Sequence, residues 1–107
     1  MLKDKAHFHL SLIMDVSPGC DCFGFNDQSI VQGIGMAASF NPVALDKACV
    51  DMVNQAPGMT GSAMDDAYQE HSDKFKHIHP NSDWQACLNH AEAIGLGTQQ
   101  YELVEFE

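Results

Sequence analysis

Arginine is absent from this chain, and lysine occurs only five times, against fifteen carboxylates and a formal net charge of −10. A surface this acidic repels phosphate backbones and anionic lipid, which argues against nucleic acid and membrane surfaces as partners. Without arginine there is also no bidentate clamp for a phosphate or carboxylate substrate. Cations, or basic patches on another protein, suit the charge better. Long apolar runs are missing too: none approaches the ~20 residues that span a bilayer. The N-terminal segment interrupts its apolar residues with His, Ser and Asp, so no signal-peptide core is expected and the default expectation is a cytoplasmic location. In a reducing compartment, four cysteines suggest thiols or metal ligands rather than a disulfide framework.

What is present suffices for one small domain. A hydrophobic content of 45% over 107 residues is ordinary for a folded chain with a modest core. Residues 8–16 alternate, with Phe8, Leu10, Leu12, Met14 and Val16 on one face and His9, Ser11, Ile13 and Asp15 on the other. The apolar set is the expected core face. Residues 17–32 read as a polar loop, and the small apolar run at about 33–39 as a second strand inside the sheet. Asn41-Pro42 marks a helix start, because Asn caps free N–H groups and Pro at the first position has none to satisfy. Leu45, Cys49, Met52, Val53 and Ala56 form its apolar stripe, and Pro57-Gly58 ends it. Met64, Tyr68, His71, Phe75 and Ile78 space a second helix. Asn81 is the expected cap of a third, with stripe Trp84, Cys87, Leu88, Ala91 and Ile94 and a left-handed stop at Gly95. Residues 101–106 alternate as a last strand, expected to run parallel to the second. The expected fold is α/β: a small mixed sheet of about three strands with three helices over residues 1–107, a partial domain completed by a partner or a second copy.

The chemistry concentrates in Cys20-Asp21-Cys22, just beyond the first strand. Paired thiols on a loop are poor core material, and with Asp15, Asp21 and Asp27 nearby they offer soft and hard donors to one cation. Cys20 and Cys22 are the expected ligands, with Asp15 as a further ligand or a support for them. A redox dithiol is a second reading, although the usual spacing has one more residue. Nucleophilic catalysis fits poorly, because surrounding carboxylates disfavour the thiolate. His7 and His9 share a strand face but lie too far along the chain to join the cysteines easily. His71 reads as a hydrogen-bonded core residue, and His77 and His79 as helix C-terminal cations. Cys49 and Cys87 read as packing residues.

Four stretches carry a family resemblance: Leu12 to Pro18 leading into Cys20-Asp21-Cys22, Ala38 to Asp46, His79 to Trp84, and Ala91 to Gly97 into Tyr101-Glu102-Leu103. In this order they resemble the C-terminal part of the uncharacterised iron–sulfur centre proteins, a family built on a domain of unknown function. Its members are usually several times longer and often carry an inserted ferredoxin-like segment. The resemblance therefore implies an iron–sulfur or redox association and little more; the cofactor expected from the thiol loop itself is an iron–sulfur cluster or a single iron or zinc ion. Two departures stand out. The Cys-x-x-Cys-x-x-Cys spacing of a ferredoxin cluster is absent, and Asn41 stands where the family commonly has Asp. As helix caps the two are equivalent.

Together these observations lead to an expected iron–sulfur- or redox-associated protein whose Cys-Asp-Cys loop binds a metal or cluster. Two alternatives remain: a docking module that completes another chain without metal, and a metal-dependent enzyme. Either a homo-oligomer or a companion subunit would supply the missing cover.

Overall fold

The computed structural model describes residues 4–20, 22–64 and 73–106. The order of elements is β1 (His9–Ile13), β2 (Gly35–Ser39), α1 (Pro42–Gln55), α2 (Lys74–Ile78) and α3 (Trp84–Ala93). The two strands pair antiparallel, with His9 opposite Ser39, Leu10 opposite Ala38 and Leu12 opposite Met36. The sheet therefore has two strands where about three were expected. Residues 101–106 are extended but join no ladder among the described residues, so the parallel pairing expected for them does not form. β2 is accordingly an edge strand with Met36 and Ala38 exposed, not an interior one. No helix among the described residues is long and apolar enough to cross a membrane.

The largest departure concerns which face of β1 turns inward. Leu12 is 68% exposed while its neighbour Ile13 is 5% exposed. Phe8, Leu10 and Met14 lie on the open side with Leu12, and His9 and Ser11 on the half-buried side with Ile13. Helix α1 explains the inversion. It faces the sheet with Val43, Ala44, Leu45, Ala48 and Val53 buried and Cys49 half-buried. Cys49 of the helix and Ala37 of β2 both pack against the buried Ile13 cluster. Ser11 lies half-buried beside the Cys49 thiol.

Part of the core comes from chain that reads as polar loop. Ile30 and Val31 are buried with Ile13, Val53 and Met64 in one apolar cluster. Ile30 N–H donates to Val16 O, and Met59 N–H donates to Ile30 O, both at 2.8 Å. This stitching satisfies backbone groups that burial would otherwise leave unpaired.

The helix starts follow local chemistry. Asn41 caps α1, its side chain accepting from Ala44 N–H with Pro42 in the first turn. Asp73 caps α2 in extended conformation, so that helix begins at Lys74 and Met64 is buried without being helical; the expected stripe residues Tyr68 and His71 lie outside the described residues. α3 starts later than expected, with Asp83 as cap in place of Asn81. Asp73 also accepts from the Trp84 indole N–H at 3.0 Å, and this tie fixes where α3 begins. Gly95 takes the left-handed φ of 81° expected after the helix. Of the α3 stripe only Leu88 is fully buried. Cys87 is exposed, which corrects its reading as a packing residue.

The C-terminal segment is tied to α1 by the Tyr101 hydroxyl, which donates to Asp51 Oδ2 at 2.6 Å. Loss of water around the phenol, then the hydrogen bond and the negative charge of Asp51, push its pKa from 10.0 up to about 12. The folded chain thus keeps a proton that the unfolded chain releases between pH 10.0 and about 12. The contribution of this contact is complete below that window and is lost as pH rises through it. Titration by phenolate absorbance is expected to show a tyrosine ionising well above the ordinary value of 10.0. Asp51→Asn should bring that midpoint down; an unchanged titration would show that the contact does not form in solution.

Candidate thiol site

The loop after β1 is ordered by one amide side chain. Asn26 Oδ1 accepts from Gly19 N–H at 2.9 Å and from Asp27 N–H at 3.0 Å. Its Nδ2 donates to Ser17 Oγ at 3.1 Å, Gly19 O at 2.8 Å and Cys20 O at 3.2 Å. A single planar group thereby closes the segment 19–26 into a compact loop. Gly19 has to be small here, because a Cβ would press on Asn26 Oδ1 and Phe23 Cδ1, each at 3.1 Å. A turn follows, with Phe23 N–H donating to Cys20 O at 2.8 Å.

This turn brings the two thiols together. Cys22 Sγ lies 3.0 Å from Cys20 Sγ, and both side chains are exposed. Phe23 and Phe25 flank them with rings 6.0 Å apart, also exposed. On the other side the loop leans on α2, where His79 Nε2 donates to Pro18 O at 2.6 Å. Between loop and helix lies a cavity of about 250 Å³ with Cys20, Pro18, Lys74 and His79 on its walls. A larger groove, of about 800 Å³, runs elsewhere, between the free edge of β2, α1 and residues 101–106. The groove's lining holds neither cysteine nor histidine, whereas the smaller cavity has both.

Among the expected ligands, then, Cys20 and Cys22 are adjacent in space. Asp15 is exposed and holds a left-handed φ of 52° just beyond β1, while Asp21 lies outside the described residues. Asp27 turns its carboxylate to its own chain, accepting from Gln28 N–H at 2.8 Å. Among the described residues no three His, Cys, Asp or Glu side chains gather closely enough to hold a metal ion. The described residues thus bring two sulfur donors together without a third ligand. Two thiolates on a tetrahedral ion with bonds of ~2.3 Å stand roughly 3.8 Å apart, a small opening from the observed contact.

His7 Nδ1 and His9 Nε2 pair with each other at 2.7 Å, away from the thiols. Cys49 is half-buried, and burial pushes its thiol pKa up. Two residues that brace the loop are not expected there from the sequence: Asn26 is not singled out, and His79 reads only as a helix-end cation. Asn26 looks like any polar loop residue, and its only signal is its place in a Gly-rich, Asp-rich segment. Nothing local connects His79 to Pro18.

No curated protein and no solved structure gave a match. The family match is confined to the first part of the chain. It takes in two of the four resembling stretches, those ending at Cys22 and at Asp46, and leaves the two later ones outside. Residues 2–51, which carry β1, the thiol loop, β2 and most of α1, match the family described as Domain of unknown function (DUF362).

Proposed function

We propose that the loop from Asp15 to Asp27 is a thiol-based metal site of an iron–sulfur- or redox-associated protein, with Cys20 and Cys22 as a bidentate pair. The observation that carries the reading is the 3.0 Å approach of two exposed sulfurs on a turn braced by Asn26. Thiolates select soft and borderline ions such as zinc and iron. The carboxylates of a chain with net charge −10 favour cation binding over nucleophilic chemistry at the same sulfurs. Asp15 contributes negative charge at the strand end rather than a direct bond. The remaining ligand positions are open to Asp21 or to a second polypeptide, and the exposed Phe23 and Phe25 offer that polypeptide an apolar rim. When bound, the metal would supply Lewis acidity or a redox couple; the chain's own part is to hold two sulfurs at chelating distance.

Protein purified without oxygen is expected to carry roughly one equivalent of zinc or iron or to take it up on titration. The Cys20→Ser/Cys22→Ser double variant should lose that metal while keeping its circular dichroism. Cys87→Ser, which removes an exposed thiol elsewhere, should change nothing. Equal metal in the double variant and the parent would place the site away from this loop.

A second reading, a docking module that completes another chain, draws on the open apolar face of the sheet.

A further inference from the structure

We propose that the outer face of the β1–β2 sheet is the interface between two copies of this chain, packed face to face across a two-fold axis. This surface is separate from the thiol loop, and its test does not depend on metal.

The inner face of the sheet is covered by α1, and the outer face is largely open among the described residues, the C-terminal segment reaching it only along the groove that Leu10, Met36 and Ala38 share with residues 101–106. The rungs on that outer face are apolar: Leu10 stands opposite Ala38 and Leu12 opposite Met36. Phe8 packs on Phe40 at the near end, with ring centroids 5.0 Å apart. Phe8, Leu10, Leu12, Met14, Met36 and Phe40 are each between 53% and 73% exposed. Together they present on the order of 700 Å² of apolar surface, above the 300–600 Å² typical of the largest patch on a monomer. A standard interface takes about 800 Å² from each partner, so this face nearly supplies one side of a stable dimer.

The chemistry of the face favours a second copy over a foreign chain. Among the described residues its rungs carry no charged side chain, although the chain carries fifteen carboxylates and a net charge of −10; Glu102 and Glu105 stand only at the groove along its β2 edge. A basic partner would be selected by acidic groups among the rungs, and the rungs have none. A uniform apolar surface is complementary to itself, which is what an isologous contact requires. Stacking two such sheets about 10 Å apart, with strands nearly aligned, produces a helix–sheet–sheet–helix sandwich in which both faces of each sheet are covered. Leu12 and Met36, the central rung, would lie nearest the axis.

Sedimentation of the intact chain from low to high micromolar concentration tests this directly. The expected result is a species of twice the 11.7 kDa chain mass that tightens with added salt, because apolar surfaces are joining two acidic bodies. Leu12→Lys/Met36→Lys should weaken association by about a hundredfold or more while leaving the far-ultraviolet circular dichroism native, since an unpaired ammonium would be buried at each central rung. A parent chain that remains monomeric throughout, or that dimerises only with a different polypeptide, overturns the proposal. So does a dimer that survives the double substitution, or one that dissociates as salt is raised. The salt series uses only the parent chain, so the proposal stays testable if the double variant does not fold.

Discussion

Truncating Ile13 to alanine is expected to cost about 2–5 kcal/mol, whereas the same truncation at Leu12 should stay within about 0.5 kcal/mol. The two residues are neighbours on one strand and nearly equal in size. Ile13 is buried with Ile30, Val31, Val53 and Met64, and removing its methyl groups leaves a cavity that close packing cannot readily fill. Leu12 stands on the open face, so an alanine there gives up contacts mainly with solvent. For a domain with a total stability of about 5–15 kcal/mol, the Ile13 loss is a large fraction and should lower the melting temperature by roughly 10 °C or more. Urea unfolding, run dilute enough to keep the chains apart, reads both variants. If Leu12 proved the costlier site, the helix would pack on the other face of the sheet.

Asn41→Asp should destabilise the chain by about 1–3 kcal/mol, even though Asn and Asp cap helices equally well. The reason is the other half of the amide. Asn41 Oδ1 accepts from Ala44 N–H at 3.2 Å and from Thr98 N–H at 3.3 Å. Its Nδ2 donates to Thr98 O at 3.2 Å and Thr98 Oγ1 at 3.0 Å. One side chain thus starts α1 and ties it to the segment that follows α3. An ionised carboxylate can serve only as acceptor, and its second oxygen would face the Thr98 carbonyl. Protonation would restore a donor, so the folded state raises the pKa of the introduced carboxyl. A raised carboxyl pKa means that stability falls as pH rises through it, so the penalty should shrink below roughly pH 4. Gly97 belongs to the same joint, since a Cβ there would collide with Asn41 Oδ1 and crowd Val43. A comparison of Asn41→Asp with Asn41→Ala across pH separates lost capping from lost donation. A variant as stable as the parent at neutral pH would mean the Thr98 bonds contribute nothing.

Asn41 thereby acquires a structural role that the cap alone could not reveal. A cap is a contact within four residues, and Asn41-Pro42 announces it in sequence. The bonds to Thr98 span 57 residues, and nothing near position 41 points to them. α3 illustrates the same limit. Asn81 and Asp83 are both competent caps, and the choice fell to Asp83 because Trp84 reaches back to Asp73, eleven residues earlier.

For the thiol site, the sequence located the two sulfurs but not their support. Cys20 and Cys22 stand out because thiols in a polar, Asp-rich loop have no packing role to explain them. Their approach depends on Asn26 gathering Ser17, Gly19 and Cys20, and on His79 holding Pro18 from sixty-one residues away. Neither is a spacing rule.

By itself, then, the sequence determined what depends on neighbours along the chain. It set the α1 start at Asn41-Pro42, the left-handed stop at Gly95, the alternation of β1 and the placing of two thiols beyond its end. Only the tertiary structure decided which face of β1 is inside. Alternation has a period of two and states that the faces differ, but it does not choose between them. The choice rests on what α1 presents. Helix α1 buries Ala44, Ala48 and Val53, and Cys49 packs with Ala37 against the Ile13 cluster, while the bulkier Phe8, Leu10, Leu12 and Met14 stay on the open side.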